Sequence, residues 1–221
     1  MVKISTQVSE LDINNFEGQL TQTIILSNIS WQTYRAMLSD LGNHRATRLA
    51  YNQKTLTLKM PSKLHEIINR LLARIVKTLT EELNLEVVDM GSTTLEREDL
   101  EKAAEPDTAF YIQNADKLEG LDPPIPANLP PDLVIEVDIT SPSTQRLEIY
   151  QALGVREVWR YTKRKGLAIY LLEAGVYIKS NNSITFPQVS VMQLNKFLEQ
   201  RQTQGENQVI RAVRSWIQEL S

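Results

Sequence analysis

The chain has 221 residues, enough to bury a full hydrophobic core as one domain with appendages. Apolar residues make up 42%, charged residues 23%, the net charge is −3 and there is no cysteine. Disulfides, thiolate metal sites and a cysteine nucleophile are therefore excluded, a reducing cytoplasm is the expected compartment, and any contact with nucleic acid must rest on a local basic patch.

No stretch approaches the ~20 apolar residues that span a bilayer, and Met1-Val2-Lys3-Ile4-Ser5 lacks a secretory apolar core, so no membrane partner is expected. Residues 1–30 are polar, with one apolar island at Ile24-Ile25-Leu26, and read as an extended arm or edge strand. Ser30 caps a short helix that runs to Leu41 and ends at Gly42. Strands at 47–51 and 55–60 form a hairpin over Asn52-Gln53-Lys54. Pro61-Ser62 then opens a long helix, with Leu64, Ile67, Ile68, Leu71, Ile75, Leu79 and Leu83 at helical spacing and Asn84 as its stop.

Strand signals follow at 85–89, 93–95 and 107–112, the last entered through Glu105-Pro106. The proline-rich stretch 116–130 reads as loop. Strand 132–139 leads to a helix opened by Ser141-Pro142-Ser143-Thr144 and closed by Gly154. A hairpin, 157–161 with 167–172, turns over the basic Lys163-Arg164-Lys165-Gly166, and 176–179 adds a strand. A helix at 191–201 leads through a polar linker to an amphipathic helix carrying Val209, Ile210, Val213, Trp216, Ile217 and Leu220. Sequential strands with a crossover helix predict an α/β (α+β) fold, a mixed central sheet flanked by helices. The expected organisation is an arm at 1–30, an α/β domain at 31–201 and a C-terminal helix at 202–221, the last docked on its own chain or on a second subunit of a homodimer.

The strand Pro131-Asp132-Leu133-Val134-Ile135-Glu136-Val137-Asp138 carries the sharpest chemical signal. Alternation puts Leu133, Ile135, Val137 and Ile139 on one face and Asp132, Val134, Glu136 and Asp138 on the other. Glu136 and Asp138 then lie about 6.5–7 Å apart at Cα, suited to one cation or to a pair about 4 Å apart. The same alternation also describes a strand with one face in water. Strong helices on either side favour a central strand, where buried like charges cost several kcal/mol unless a metal or proton neutralises them. Asp107 adds a third carboxylate if its strand is the neighbour; a turn-starting aspartate after proline is the plain alternative.

The element order together with Glu105-Pro106-Asp107, Pro131 to Val137, Ser141-Pro142-Ser143-Thr144 and Tyr150 through Gly154-Val155-Arg156-Glu157-Val158-Trp159 resembles the Uma-type family of putative restriction endonucleases. This family lies within the PD-(D/E)XK nuclease superfamily, and the resemblance spans roughly 31–197. It implies a restriction-endonuclease-like core and Mg²⁺- or Mn²⁺-dependent hydrolysis of DNA, with Asp107 and Glu136 as metal-binding acids. The superfamily pattern ends in lysine where this chain has Asp138, an extra ligand or a base for water. The basic residue of the resembling family falls on the following helix, here Arg146, which stays charged and can stabilise a phosphate but cannot act as a base. Alternatively, Arg146 is a helix-surface residue.

His65 and Glu66, in the first turn of the long helix, are accessory candidates for holding a water, or simply a solvated helix start. The Lys163-Arg164-Lys165 turn is either a phosphate contact or a charged hairpin tip. With only His44 and His65, a histidine-rich zinc site is not expected, and no glycine-rich nucleotide loop is present. The leading expectation is a metal-dependent endonuclease with Asp107, Glu136 and Asp138 on the ion and Arg146 as electrostatic helper. Its rivals are a catalytically decayed binding or assembly module of the same fold, and a metal-free acid–base enzyme.

Overall fold

The computed structural model describes residues 3–7, 22–42, 47–126, 128–139 and 144–220. Twelve strands and five α-helices occur among them. The first half contains β1 (Lys3–Gln7), β2 (Gln22–Ser27), α1 (Trp31–Leu41), β3 (Arg48–Asn52), β4 (Thr55–Met60), α2 (Lys63–Glu82), β5 (Val88–Gly91), β6 (Leu95–Arg97) and β7 (Lys102–Ala104). The second contains β8 (Thr108–Tyr111), β9 (Leu133–Asp138), α3 (Thr144–Leu153), β10 (Glu157–Thr162), β11 (Gly166–Glu173), β12 (Val176–Ser180), α4 (Val191–Gln200) and α5 (Glu206–Gln218). The expected Ser141-Pro142-Ser143 opening of α3 and the histidine at 44 lie outside the described residues.

The strands form two six-stranded sheets, where the sequence pattern pointed to one. The first has the order β1-β2-β4-β3-β7-β6 and is antiparallel throughout. Its β3–β4 hairpin turns through Gln53 and Lys54, both at positive φ. The three-residue β7 left no periodicity to read, yet it pairs on both sides and completes this sheet. The second sheet has the order β12-β11-β10-β9-β8-β5 and is mixed: β9 and β10 run parallel through the α3 crossover, and the other pairs are antiparallel.

β9 is central in that sheet and buried along its whole length. Leu133, Ile135 and Val137 belong to a core shared with α2, α4 and α5, while Val134 joins Ile149, Tyr150, Val155 and Val158 beneath α3. A third core, built on Trp31, Tyr34, Tyr51 and Leu56, anchors α1 to the first sheet, with Tyr34 stacked on Tyr51 at 5.1 Å. Ser30 and Ser62 cap α1 and α2, accepting from the amides of Thr33 and His65.

The buried face of α2 is rotated from the predicted stripe. Leu64 and Ile67 are exposed, and His65 and Asn69 take the buried places, because both bond to the start of β8. The apolar face of α5, through Val209, Ile210, Val213 and Ile217, completes the α2 side of the core, and Trp216 packs edge-on against Phe197 at 5.7 Å. Among the described residues no helix is long and apolar enough to cross a membrane.

Candidate active site

Antiparallel pairing of β8 with β9 sets Thr108 opposite Ile135, so Asp107, one step earlier, arrives beside Glu136 and Val137. Its Oδ2 accepts from the Val137 amide at 2.7 Å and pairs with His65 Nε2 at 2.8 Å. Asn69, one turn along α2, donates to the Asp107 carbonyl and accepts from Thr108 Oγ1. The other carboxylate oxygen, Asp107 Oδ1, is buried with no hydrogen-bond partner among the described residues.

Glu136 points to the α3 side of the sheet. Arg146 Nη1 donates to it at 3.0 and 3.3 Å and also to the Glu105 carbonyl at 2.8 Å, and the Tyr150 hydroxyl donates to its Oε1. Positions 146 and 150 are one helical turn apart, so a single face of α3 presents both donors. Asp138, two residues on, accepts from Arg160 Nε at 2.7 Å. Arg160 is paired directly opposite Glu136 in the β9–β10 ladder, which puts it on the same face.

Between the three carboxylates lies Lys59, carried by β4 of the other sheet. Its Nζ donates to the Val137 carbonyl at 2.8 Å and to Asp107 at 3.4 Å, and lies 3.7 Å from Glu136 and 3.8 Å from Asp138. β9 itself ends in aspartate, and the lysine reaches the cluster from another strand. Three acids thus meet three cations, Lys59, Arg146 and Arg160, in a setting where Asp107, Glu136, Lys59 and Arg146 are all at least 95% buried.

Burial is the largest influence on the titration of Asp107, Glu136, Tyr150 and Arg146. It pushes the Asp107 carboxyl up, but Lys59, His65 and Arg146 outweigh it and hold the group well below its ordinary range. For Glu136 burial wins over Arg146 and Lys59, helped by the nearby charges of Asp107 and Asp138, and the carboxyl is raised. Burial and the Glu136 charge also raise the Tyr150 phenol, so that it serves as a donor. Arg146 remains a cation, since its acidic neighbours more than offset burial.

The structure brings Asp107, Glu136, Asp138, Arg146 and His65 into one cluster. Glu66 is not part of it; its carboxylate stands 3.6 Å from the far nitrogen of His65. Among the described residues no group of three or more His, Asp or Glu side chains is arranged to hold a metal ion. The donors are nonetheless all hard oxygens, and Mg²⁺ is commonly held by one or two carboxylates while water and substrate complete its shell. Asp107, with its unpartnered Oδ1, and Glu136 fit that limited role.

Lys59, Tyr150 and Arg160 escaped sequence reasoning. Lys59 had only one signal: in Thr55-Leu56-Thr57-Leu58-Lys59 it shares the polar face of a strand that runs straight into the helix bearing His65. That pattern is also the ordinary signature of a solvated lysine.

The sequence profile of Uma2, described as a putative restriction endonuclease, matches residues 31–210. Among solved structures, the chain is similar to a putative nuclease belonging to DUF820 from Anabaena variabilis ATCC 29413, with 14% sequence identity and a TM-score of 0.50. The match covers 85% of this chain and 98% of that one. At such identity the likeness establishes a shared fold alone. No curated protein matches.

Proposed function

Because the chain belongs to the Uma2 family of putative restriction endonucleases, we propose that it hydrolyses phosphodiester bonds in DNA with the help of a divalent cation, Mg²⁺ or Mn²⁺, held by Asp107 and Glu136. The observation that carries this reading is Lys59 Nζ set 3.4–3.8 Å from all three carboxylates. That arrangement restores an acid–acid–lysine constellation which the β9 sequence lacks. Bound there, the ion supplies Lewis-acid stabilisation of charge developing on the phosphate.

The remaining work falls to the chain's own groups. Lys59 offers a fixed positive charge beside the acids, where it can face a phosphate oxygen. Arg146 and Tyr150 hold Glu136 in one orientation, and His65 and the Val137 amide do the same for Asp107. These are positioning roles. Asp138, engaged by Arg160, is the remaining acid for orienting or deprotonating water.

A second reading, a nuclease-fold domain that binds without cutting, is favoured by one observation: the cluster's charges already balance without a metal. Plasmid and single-stranded DNA incubated with Mg²⁺ or Mn²⁺ separate the two readings. Glu136→Ala, Glu136→Gln and a chelator serve as controls, and the melting temperature of each variant is checked. Hydrolysis predicts cleavage that the chelator and both variants abolish, together with metal-induced thermal stabilisation of the wild type. Cleavage that persists in Glu136→Ala would be contamination and would end the proposal. Absence of both cleavage and stabilisation would leave the binding module.

A further inference from the structure

On the face of the second sheet that carries Glu136 and Asp138, the rows of paired residues continue past Arg160 to the β10–β11 turn and β12. Asp138 is opposite Thr162, which is opposite Gly166; Val158 is opposite Tyr170, which is opposite Lys179. These rows border a cavity of about 600 Å³ that begins at Asp138. Its basic lining consists of Arg160, Lys163, Arg164, Lys165 and Lys179. Arg160 is engaged by Asp138, whereas the other four are exposed and have no carboxylate partner among the described residues. Asp138, Thr162 and Gly166 also line it, and its apolar part is Ile139, Leu167, Ala168 and Tyr170, all buried or half-buried, with Lys179 Nζ 6.0 Å from the Tyr170 ring.

The turn is firmly seated. Gly166 has φ +68°, where a side chain is strained, and a Cβ there would meet Asn195 Oδ1 at 2.3 Å, so any other residue would displace Asn195. That Asn195 oxygen accepts from the Leu167 amide, and its Nδ2 donates to the carbonyls of Leu167 and Val191. The cations are thus presented from a pinned hairpin.

Exposed cations beside an apolar, partly aromatic lining do not match a duplex, which offers phosphates and sugars outward and keeps its bases stacked inside. They match an unpaired strand, whose phosphates need cations and whose bases have flat apolar faces to bury. The volume lies within the range of pockets that enclose small organic groups, about 300–1,000 Å³. We infer that this cavity binds an unpaired nucleic-acid strand and leads it to the carboxylate cluster at Asp138. The inference rests on the proposed function for the class of polymer, but not for catalysis.

Equilibrium binding tests it in the presence of chelator, so that nothing is cut. The probes are a fluorescent dT12 strand, a twelve-base-pair duplex and, as competitor, thymidine 5′-monophosphate. The proteins are the wild type, Lys163→Glu/Lys165→Glu and Tyr170→Leu, each with its melting temperature checked. The single strand is expected to bind about tenfold more tightly than the duplex. The double charge reversal should weaken it at least tenfold and flatten the slope of log K against log salt by about 1.4, some 0.7 for each phosphate that is no longer neutralised. Tyr170→Leu should weaken binding about tenfold at an unchanged slope.

Equal or tighter duplex binding overturns the inference, as does unaltered binding by the folded double variant. Competition by the mononucleotide as strong as by the strand overturns it in favour of a free-nucleotide site. Strand binding without any DNA cleavage in Mg²⁺ or Mn²⁺ would refute the hydrolytic proposal and leave the cavity assignment standing.

Discussion

Two sets of buried carboxylates lie within a few residues of one another in this molecule, and they are satisfied in opposite ways. Asp132 and Glu157 are held by neutral donors. Asp132 accepts from the amides of Ile112 and Asn114 and the Asn114 side chain, and Glu157 from Trp159 Nε1 and the amides of Ile184 and Thr185. Asp107, Glu136 and Asp138 are surrounded instead by Lys59, Arg146 and Arg160. The first set stitches loops to strands. The second concentrates opposite charges in one place, where a change in any one of them is felt by the rest.

Four measurements can break or sharpen this contrast. The largest effect is expected for Lys59→Met, which leaves three buried acids with two cations. The variant should lose about 3–5 kcal/mol of unfolding free energy at pH 7. The deficit should shrink toward pH 5 as a carboxyl takes up a proton, and urea unfolding at the two pH values checks both statements. Next, Glu157→Gln should cost about 1–3 kcal/mol, because its amide nitrogen would face donors. DNA cleavage and metal-induced stabilisation should be unchanged; a loss of either would dissolve the division between the two sets.

The third test uses pH. The Asp107 carboxyl is held below its ordinary 3.8, so the stability it contributes is complete above about pH 4 and is lost as pH falls toward its folded value. The Glu136 carboxyl is raised above its ordinary 4.5, so its contribution is present below that value and is lost as pH rises through the folded one. The advantage of wild type over Asp107→Asn should therefore shrink on acidification below pH 4. That over Glu136→Gln should shrink as pH rises above 4.5. Unfolding free energies across pH 2.5–7 would show the two opposite slopes, and parallel slopes would sink the assignment. The smallest effect is expected at Arg214, a half-exposed partner of Glu81 and Glu82 outside both sets. Arg214→Ala should cost less than about 1 kcal/mol by the same measurement.

Much of this contrast was legible in the sequence, because period-two alternation is a local property. Residues 132–138 alone announce which side chains share a face, and the Glu105-Pro106-Asp107 start fixes an acid at the next strand's end. What the alternation hides is the kind of donor each acid receives. Asp132 and Glu136 sit on the same face of one strand, yet the first meets backbone amides and the second meets cations. Only the partner elements decide that. Lys59 comes from a different sheet, and Arg160 is assigned only by the β9–β10 register. The division into two sheets was likewise invisible, since it turns on β7, three residues long, and on pairings between distant segments.

Lys59 has one more consequence. Its backbone belongs to the first sheet, while every acid it touches is fixed by the second, so the two layers are fastened through the cluster itself. Prising them apart would remove one counter-ion from the three acids, at a cost of about 3–5 kcal/mol, a sizeable fraction of the stability of an ordinary domain. A half-open intermediate is therefore penalised, and the two layers are expected to melt together in one transition. The same lysine that equips the candidate site for chemistry makes the molecule cooperative.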